Sequence, residues 1–191
     1  MIPAPPGHPS RAAESALGIL ALAAGRPATL GGGRLVCLDG PAGSGKTTLA
    51  SALAAAEPDA VVVHMDDLYA GWGGLPHLEK QLDMLLRPLA AGRPGRYRRY
   101  DWHAGAFAET VTVPPAPLLA LEGVGSGAAA YDDLRTVLVW VDAPADLRRA
   151  RGLARDGDAF APHWDAWARD ERELFARERT AERADLVVRT A

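Results

Sequence analysis

Gly40-Pro41-Ala42-Gly43-Ser44-Gly45-Lys46-Thr47 matches the pattern G-x-x-x-x-G-K-[ST] at every position. The apolar run Leu35-Val36-Cys37-Leu38 precedes it as a buried strand would, and a helical pattern continues from Lys46 to about Ala56. Glycines let the backbone turn so that successive N–H groups point at phosphate oxygens, and the helix start adds its dipole. Lys46 is then expected to bridge the β- and γ-phosphates of a nucleoside triphosphate, and the Thr47 hydroxyl to ligate Mg²⁺. Gly40, Pro41, Ala42, Gly43, Ser44, Gly45, Lys46, Thr47 and Thr48 form the expected ATP-binding set. The element defines a nucleotide site and not a reaction, because kinases, GTPases, motor ATPases and transporters share it.

Outward from this loop, strand and helix patterns alternate. Apolar positions Ala13, Leu17, Leu20 and Ala21 predict a helix from Ser10 to Ala24, capped by Ser10 and stopped by Gly25. Strands are expected at Val61-Val62-Val63, Val111-Thr112-Val113, Leu118 to Leu121, Val137 to Val141 and Leu186-Val187-Val188. Helices are expected over Leu78 to Leu89, ended by Pro88 and Gly92, then near Ala145 to Arg155 and Trp164 to Arg179. The last of these carries the i,i+4 pairs Arg169–Glu173 and Glu173–Arg177, as a solvated face would. Alternation of this kind implies an α/β three-layer sandwich around a mostly parallel five-stranded sheet, with a short helical lid near 151–165. One domain over 10–191 follows a proline-rich tail, 1–9, expected to be disordered.

Composition narrows the function classes. The chain has 191 residues and a net charge of -3, so no basic footprint marks a nucleic-acid backbone. No apolar stretch is long enough to span a bilayer, and the start lacks the features of a signal peptide. A cytoplasmic protein is the resulting expectation. The one cysteine, Cys37, rules out an internal disulfide and falls in an apolar run, as a buried structural thiol does.

Two acidic positions complete a phosphoryl-transfer set. Asp66 and Asp67 follow the Val61-Val62-Val63 strand, at the sheet edge where ligands bind in parallel α/β folds. Asp66 is the candidate base that takes the proton of an attacking hydroxyl; Asp67 serves equally well as a turn cap. His64 reads as a packed strand-end residue. Glu122 ends the strand Leu119-Ala120-Leu121, the pattern of an acid that holds magnesium.

With these pieces placed, the chain resembles the uridine kinase branch of the P-loop kinases, which also includes phosphoribulokinase and bacterial pantothenate kinase. The similarity runs with gaps from about Leu35 to Val188. Asp66-Asp67-Leu68-Tyr69 resembles that family's Asp-Ser-Phe-Tyr box, whose first Asp is the catalytic base. Tyr100-Asp101-Trp102, then Ala108 to Val113, resemble its Tyr-Asp-Phe element and Glu-Thr-Val-Thr-Val stretch, and Glu122-Gly123 falls at its Glu-Gly. Val141-Asp142-Ala143-Pro144, Arg151 to Arg155-Asp156, and Ala184 to Val188 resemble its lid-bearing strand and helix and its closing strand. The resemblance implies that Arg151 and Arg155 act from the lid on the transferred phosphoryl group, Arg155 being favoured by the Asp156 that follows it.

Departures concern the acceptor. His103 follows Tyr100-Asp101-Trp102 directly, with Gly105 near the place of the family's base-reading His, and the ribose-holding His-Pro-x-Ala box has no clear counterpart. The loop Ala70 to His77, with Trp72 among glycines, stands there instead. Tyr69, Trp72, Tyr97, Tyr100, Trp102 and His103 are expected in loops facing the sheet edge, where they either bind a planar acceptor or pack the loops. Asp66, Tyr69, Trp72, Tyr100, Trp102, His103 and Glu122 form the expected acceptor site. Arg96, Arg98 and Arg99 would suit an anionic acceptor or a solvated loop, and Trp164 and Trp167 read as core. The leading expectation is an ATP- and Mg²⁺-dependent kinase of a small molecule, most simply a nucleoside. Alternatives are a nucleoside monophosphate, pantothenate-like, sugar or antibiotic acceptor, or a nucleotide-dependent switch. A homo-oligomer is compatible with the sequence.

Overall fold

The computed structural model describes residues 10–191, apart from the side chain of Asp158; the expected tail 1–9 lies outside the described residues. Helix α1 (Arg11–Ala24) begins at Ser10, whose hydroxyl accepts the Ala13 N–H, and ends at Gly25. Strand β1 (Arg34–Asp39) leads through the glycine-rich loop into α2 (Lys46–Ala56), and β2 (Ala60–His64) returns to the sheet. After α3 (Glu79–Ala90), strands β3 (Gly95–Asp101) and β4 (Ala106–Val113) form an antiparallel hairpin of their own. Strands β5 (Leu118–Glu122) and β6 (Val137–Asp142) are followed by α4 (Ala145–Asp156), α5 (Trp164–Glu178), the short α6 (Thr180–Arg183) and β7 (Leu186–Arg189).

The main sheet is five-stranded and parallel throughout, in the order β2-β5-β1-β6-β7. Burial on both faces explains the unbroken apolar reading of its central strands. Alternate residues point to opposite faces. Leu35 and Cys37 of β1 join a core with α3 and α5, while Val36 and Leu38 join a second core with α1 and α2. Enclosure in the first core pushes the Cys37 thiol up to about 12, so it is inert packing.

Three expectations are corrected. Residues 95–101, expected as loop, form β3, because Tyr97 and Gly95 alternate inward against α3 while Arg96 and Arg98 face water. Helix α3 does not end at Pro88. The ring costs one hydrogen bond in the last turn, and the helix closes two residues later, where Gly92 takes φ +70° and Arg93 N–H returns to the Pro88 carbonyl. On α5 neither expected i,i+4 ion pair forms; Arg169 pairs with Asp170 and Arg177 with Glu178 at the surface.

Strand β7 is held at its start by Asp185. Its carboxylate accepts the Leu138 N–H (2.8 Å) and the Arg26 guanidinium (2.8 Å). Partial burial opposes ionisation, but these two bonds prevail and hold the carboxyl below its usual range. Replacing Asp185 by Ala should cost roughly 1–3 kcal/mol in urea unfolding, since the Leu138 N–H loses its partner. A depressed carboxylate contributes stability above its unfolded pKa, so the wild-type advantage over Asp185→Ala should shrink as pH falls through the folded value.

Candidate active site

The glycine-rich loop leaves β1 with a conformation that side chains resist. Gly40, Gly43 and Gly45 take φ of +141°, +75° and +97°. A Cβ on Gly40 would lie 2.1 Å from the Val141 carbonyl oxygen, and one on Gly43 2.2 Å from that of Arg148. The loop is thus pressed against the end of β6 and the first turns of α4. Behind it, the buried carboxylate of Asp39 accepts N–H groups from Gly40 (2.7 Å), Gly125 (2.9 Å) and Gly127 (2.9 Å). Burial raises its carboxyl above the usual range, against the opposing pull of those three bonds.

A cavity of about 370 Å³ opens over this loop, walled by residues from it, from the ends of β2 and β5, from α4 and from α5. Lys46 is buried and donates from Nζ to the carbonyls of Gly40 (2.7 Å) and Pro41 (2.9 Å). Thr47 Oγ1 lies 3.1 Å from Glu122 Oε1, and His64 Nδ1 donates to the same oxygen at 2.5 Å. That bond is the chief cause of the upward shift of the His64 imidazole. Asp66, on the short turn after β2, opens into the cavity. Its side chain is open to the cavity's solvent, but the protein crowded around that cavity desolvates the carboxylate and raises it above the ordinary range, with Arg155 and Lys46 pulling the other way and Glu122 adding to the rise.

Arg151 and Arg155 both line the cavity from α4, one turn apart. Arg151 is committed to the β7 end, donating to Thr190 Oγ1 (2.8 Å) and to the Ala191 carbonyl (3.1 Å). Arg155, bonded to Asp156, carries its charge beside Asp66 and Glu122. Of the two, Arg155 is the guanidinium without a backbone bond among the described residues. A second cavity of about 380 Å³ adjoins the first, sharing Gly45, Thr48 and Arg151, between the start of α1 and the end of β7.

The expected acceptor residues separate into groups. Tyr69 is a correction: it is fully buried, donates to the Val124 carbonyl (2.8 Å) and packs edge-on to Trp167, so it faces the core rather than an acceptor. Trp72 stacks on Phe160 (4.9 Å) and His163 (4.7 Å) from the lid and tilts against Trp102. Trp102 donates its indole N–H to the Asp66 carbonyl (2.9 Å), which fixes the hairpin to the turn bearing Asp66. Tyr100 covers Gly71, where any Cβ would strike the phenol oxygen at 2.9 Å. His103 sits in the exposed hairpin turn and lines neither cavity. Arg96, Arg98 and Arg99 do not converge either: Arg99 is paired with Glu109 (2.6 Å), and Arg98 lies over the Phe107 ring.

Comparison with known proteins places this geometry. No protein-family model matches the chain, and no curated protein matches it. A Bacillus stearothermophilus protein described as a possible uridine kinase superposes with TM-score 0.60 and 24% identity, over 82% of this chain and 89% of its own. A Silicibacter sp. TM1040 protein, provisionally described as a fructose transport system kinase, superposes with TM-score 0.61 and 25% identity, over 94% and 99%. The chain has the P-loop kinase fold. Among the described residues of this P-loop kinase fold, no helix is long and apolar enough to cross a membrane. Four residues of its site carried no signal in sequence: Asp39, His64 as a partner of Glu122, Phe160 and Glu171. Only Asp39, directly before Gly40, was within reach of the motif itself. Replacing Asp39 by Ala leaves three buried N–H groups unpaired, and unfolding free energy should drop by about 3 kcal/mol or more in a denaturant titration.

Proposed function

We propose that this chain transfers the γ-phosphate of ATP, with Mg²⁺, to a hydroxyl of a small molecule. The observation that carries this reading is the convergence of Lys46, Asp66, Glu122 and Arg155 on one cavity floored by the phosphate loop. The residues fit the nucleotide: positive-φ glycines leave the loop's N–H groups room to face phosphates, and the adjoining cavity offers space for base and ribose. They also fit the metal. Among the described residues no three His, Cys, Asp or Glu form a metal cage. Magnesium asks for less: one or two protein oxygens, with phosphates and water completing the octahedron. Thr47 Oγ1 and the Glu122 carboxylate, 3.1 Å apart, would supply those oxygens. Bound there, the ion would neutralise charge on the phosphate oxygens.

Asp66 accepts the proton of the acceptor hydroxyl as its oxygen attacks the γ-phosphorus. The new O–P bond forms as the bond to the β–γ bridging oxygen breaks, and ADP leaves carrying that oxygen. Lys46 must release the Gly40 and Pro41 carbonyls to follow the phosphates, while Arg155 meets the transferred group from the lid. Phe160 and Trp167, on the cavity wall, exclude water that would compete as acceptor.

A nucleoside is the leading acceptor, on the motif pattern around Asp66, Tyr100 and Trp102 and the fold shared with a possible uridine kinase. A sugar is the second reading. It is favoured by the stacking of Trp72 on Phe160 and His163, which occupies an aromatic surface that would otherwise meet a base. An ADP-release assay across nucleosides, nucleotides, pantothenate and sugars tests both, and an ATP-binding protein whose turnover no acceptor raises would overturn the kinase reading.

Asp66→Asn should lower kcat by roughly 10²–10⁴ while leaving ATP affinity near wild type. The acid limb of kcat/KM should lie above the ordinary carboxylate range. The sign follows from the raised carboxyl: the base works only when ionised, so the rate climbs as pH rises through its folded pKa. Full activity in Asp66→Asn would remove Asp66 from the reaction.

A further inference from the structure

Glu171, on α5, is a carboxylate with 2% exposure packed behind the phosphate loop, next to a site built for anions. Its Oε1 accepts the backbone N–H of Ala42 in the phosphate loop (2.7 Å) and the indole N–H of Trp167 (2.6 Å). The residues just before Ala42 are those whose carbonyls hold Lys46 Nζ. Glu171 therefore grips the loop next to the resting place of its lysine, from the helix that follows the lid. Nothing in the transfer chemistry requires a carboxylate there, and an ionised one would repel polyphosphate.

The cost of that position identifies what it supplies. Trp167 is itself fixed, edge-on against Tyr69 (5.1 Å) and Trp72 (6.0 Å), so the carboxylate is aimed by a rigid donor. Burial raises the carboxyl, with Lys46 and the two N–H donors pulling it down. An oxygen that accepts two N–H bonds meets the geometric demand whether or not it carries charge.

Resting on the phosphate-loop reading above, we propose that Glu171 is a positioning residue of the donor site. As a hydrogen-bond acceptor it fixes the Ala42 turn of the phosphate loop to the helix behind the lid. This contact adds to the Gly43–Arg148 approach and ties the loop to the helix that follows the lid.

Binding of Mg·ATP, measured calorimetrically on full-length protein at a temperature where each variant is folded, tests this. Glu171→Met fills similar volume without a comparable acceptor and should weaken binding by about fivefold or more, the scale of a lost neutral hydrogen bond. Glu171→Gln keeps an acceptor oxygen and should restore binding to within about threefold of wild type, a rescue that a role in charge would not permit. Wild-type affinity in folded Glu171→Met overturns the proposal. So does a Glu171→Gln protein as weak as Glu171→Met, since charge would then be the requirement. If Glu171→Met does not fold, Trp167→Phe removes one of the two donors that aim the carboxylate; it should weaken binding measurably, and unchanged affinity there overturns the proposal. Lys46→Ala separates the two readings. Lost ATP binding there beside wild-type affinity in Glu171→Met removes only the role of Glu171, whereas unchanged binding in both removes the phosphate site itself.

Discussion

The close approach of the phosphate loop to the backbone of β6 and α4 is the constraint on which the rest of the site depends. At Gly40 and Gly43 the neighbouring carbonyls of Val141 and Arg148 leave no room for a Cβ, and the same residues turn with positive φ. A side chain at Gly43 would push α4 away from the loop, and one at Gly40 would strike the end of β6. Helix α4 carries Arg151 and Arg155, so the distance from the loop to these arginines depends on the missing Cβ at Gly43. The parallel sheet makes the contact possible, since β1 and β6 are direct neighbours and end at the same edge.

Charge explains why this edge is held so firmly. Asp39, Asp66, Glu122 and Glu171 lie around one cavity or directly behind its floor, with Lys46, Arg151 and Arg155 lining the same cavity. Three of these carboxyls are raised by enclosure. Where N–H bonds hold the carboxylate, as at Asp39, the acid works as a structural clamp. Where it opens to the cavity, as at Asp66, the same enclosure leaves it basic and uncommitted. Residues of one chemical type thus serve two purposes, decided by how many donors reach each.

The sequence made legible whatever is local. The phosphate loop, its flanking strand and helix, the Ser10 cap and the parallel α/β order all follow from motif and periodicity within a few residues. Contacts between distant segments were not legible. Glu171 meets Ala42 across 129 positions and Asp39 meets Gly125 across 86, and no pattern in either neighbourhood announces its partner. Tyr69 was misread for a related reason: a family-like motif fixes its position but not its direction, and the Val124 carbonyl draws it inward. The hairpin strand β3 was hidden by its composition. Four of its seven residues are arginine or aspartate, and only the antiparallel partner β4 turns that basic run into a strand.

The aromatic cluster at the lid shows why packing and recognition were hard to separate by reading alone. Trp72 makes ring contacts with Phe160, His163, Trp102 and Trp167, so it does pack the loops together. Each aromatic pair contributes only about 0.5–1.5 kcal/mol beyond area burial. The flanking glycines fit that packing: Gly73 has open space around its Cβ position, and Gly71 takes a positive φ beneath the Tyr100 phenol. Trp72 is therefore the point where the loop after β2, the turn of the β3–β4 hairpin and the segment between α4 and α5 meet, held by several weak ring contacts rather than one strong bond.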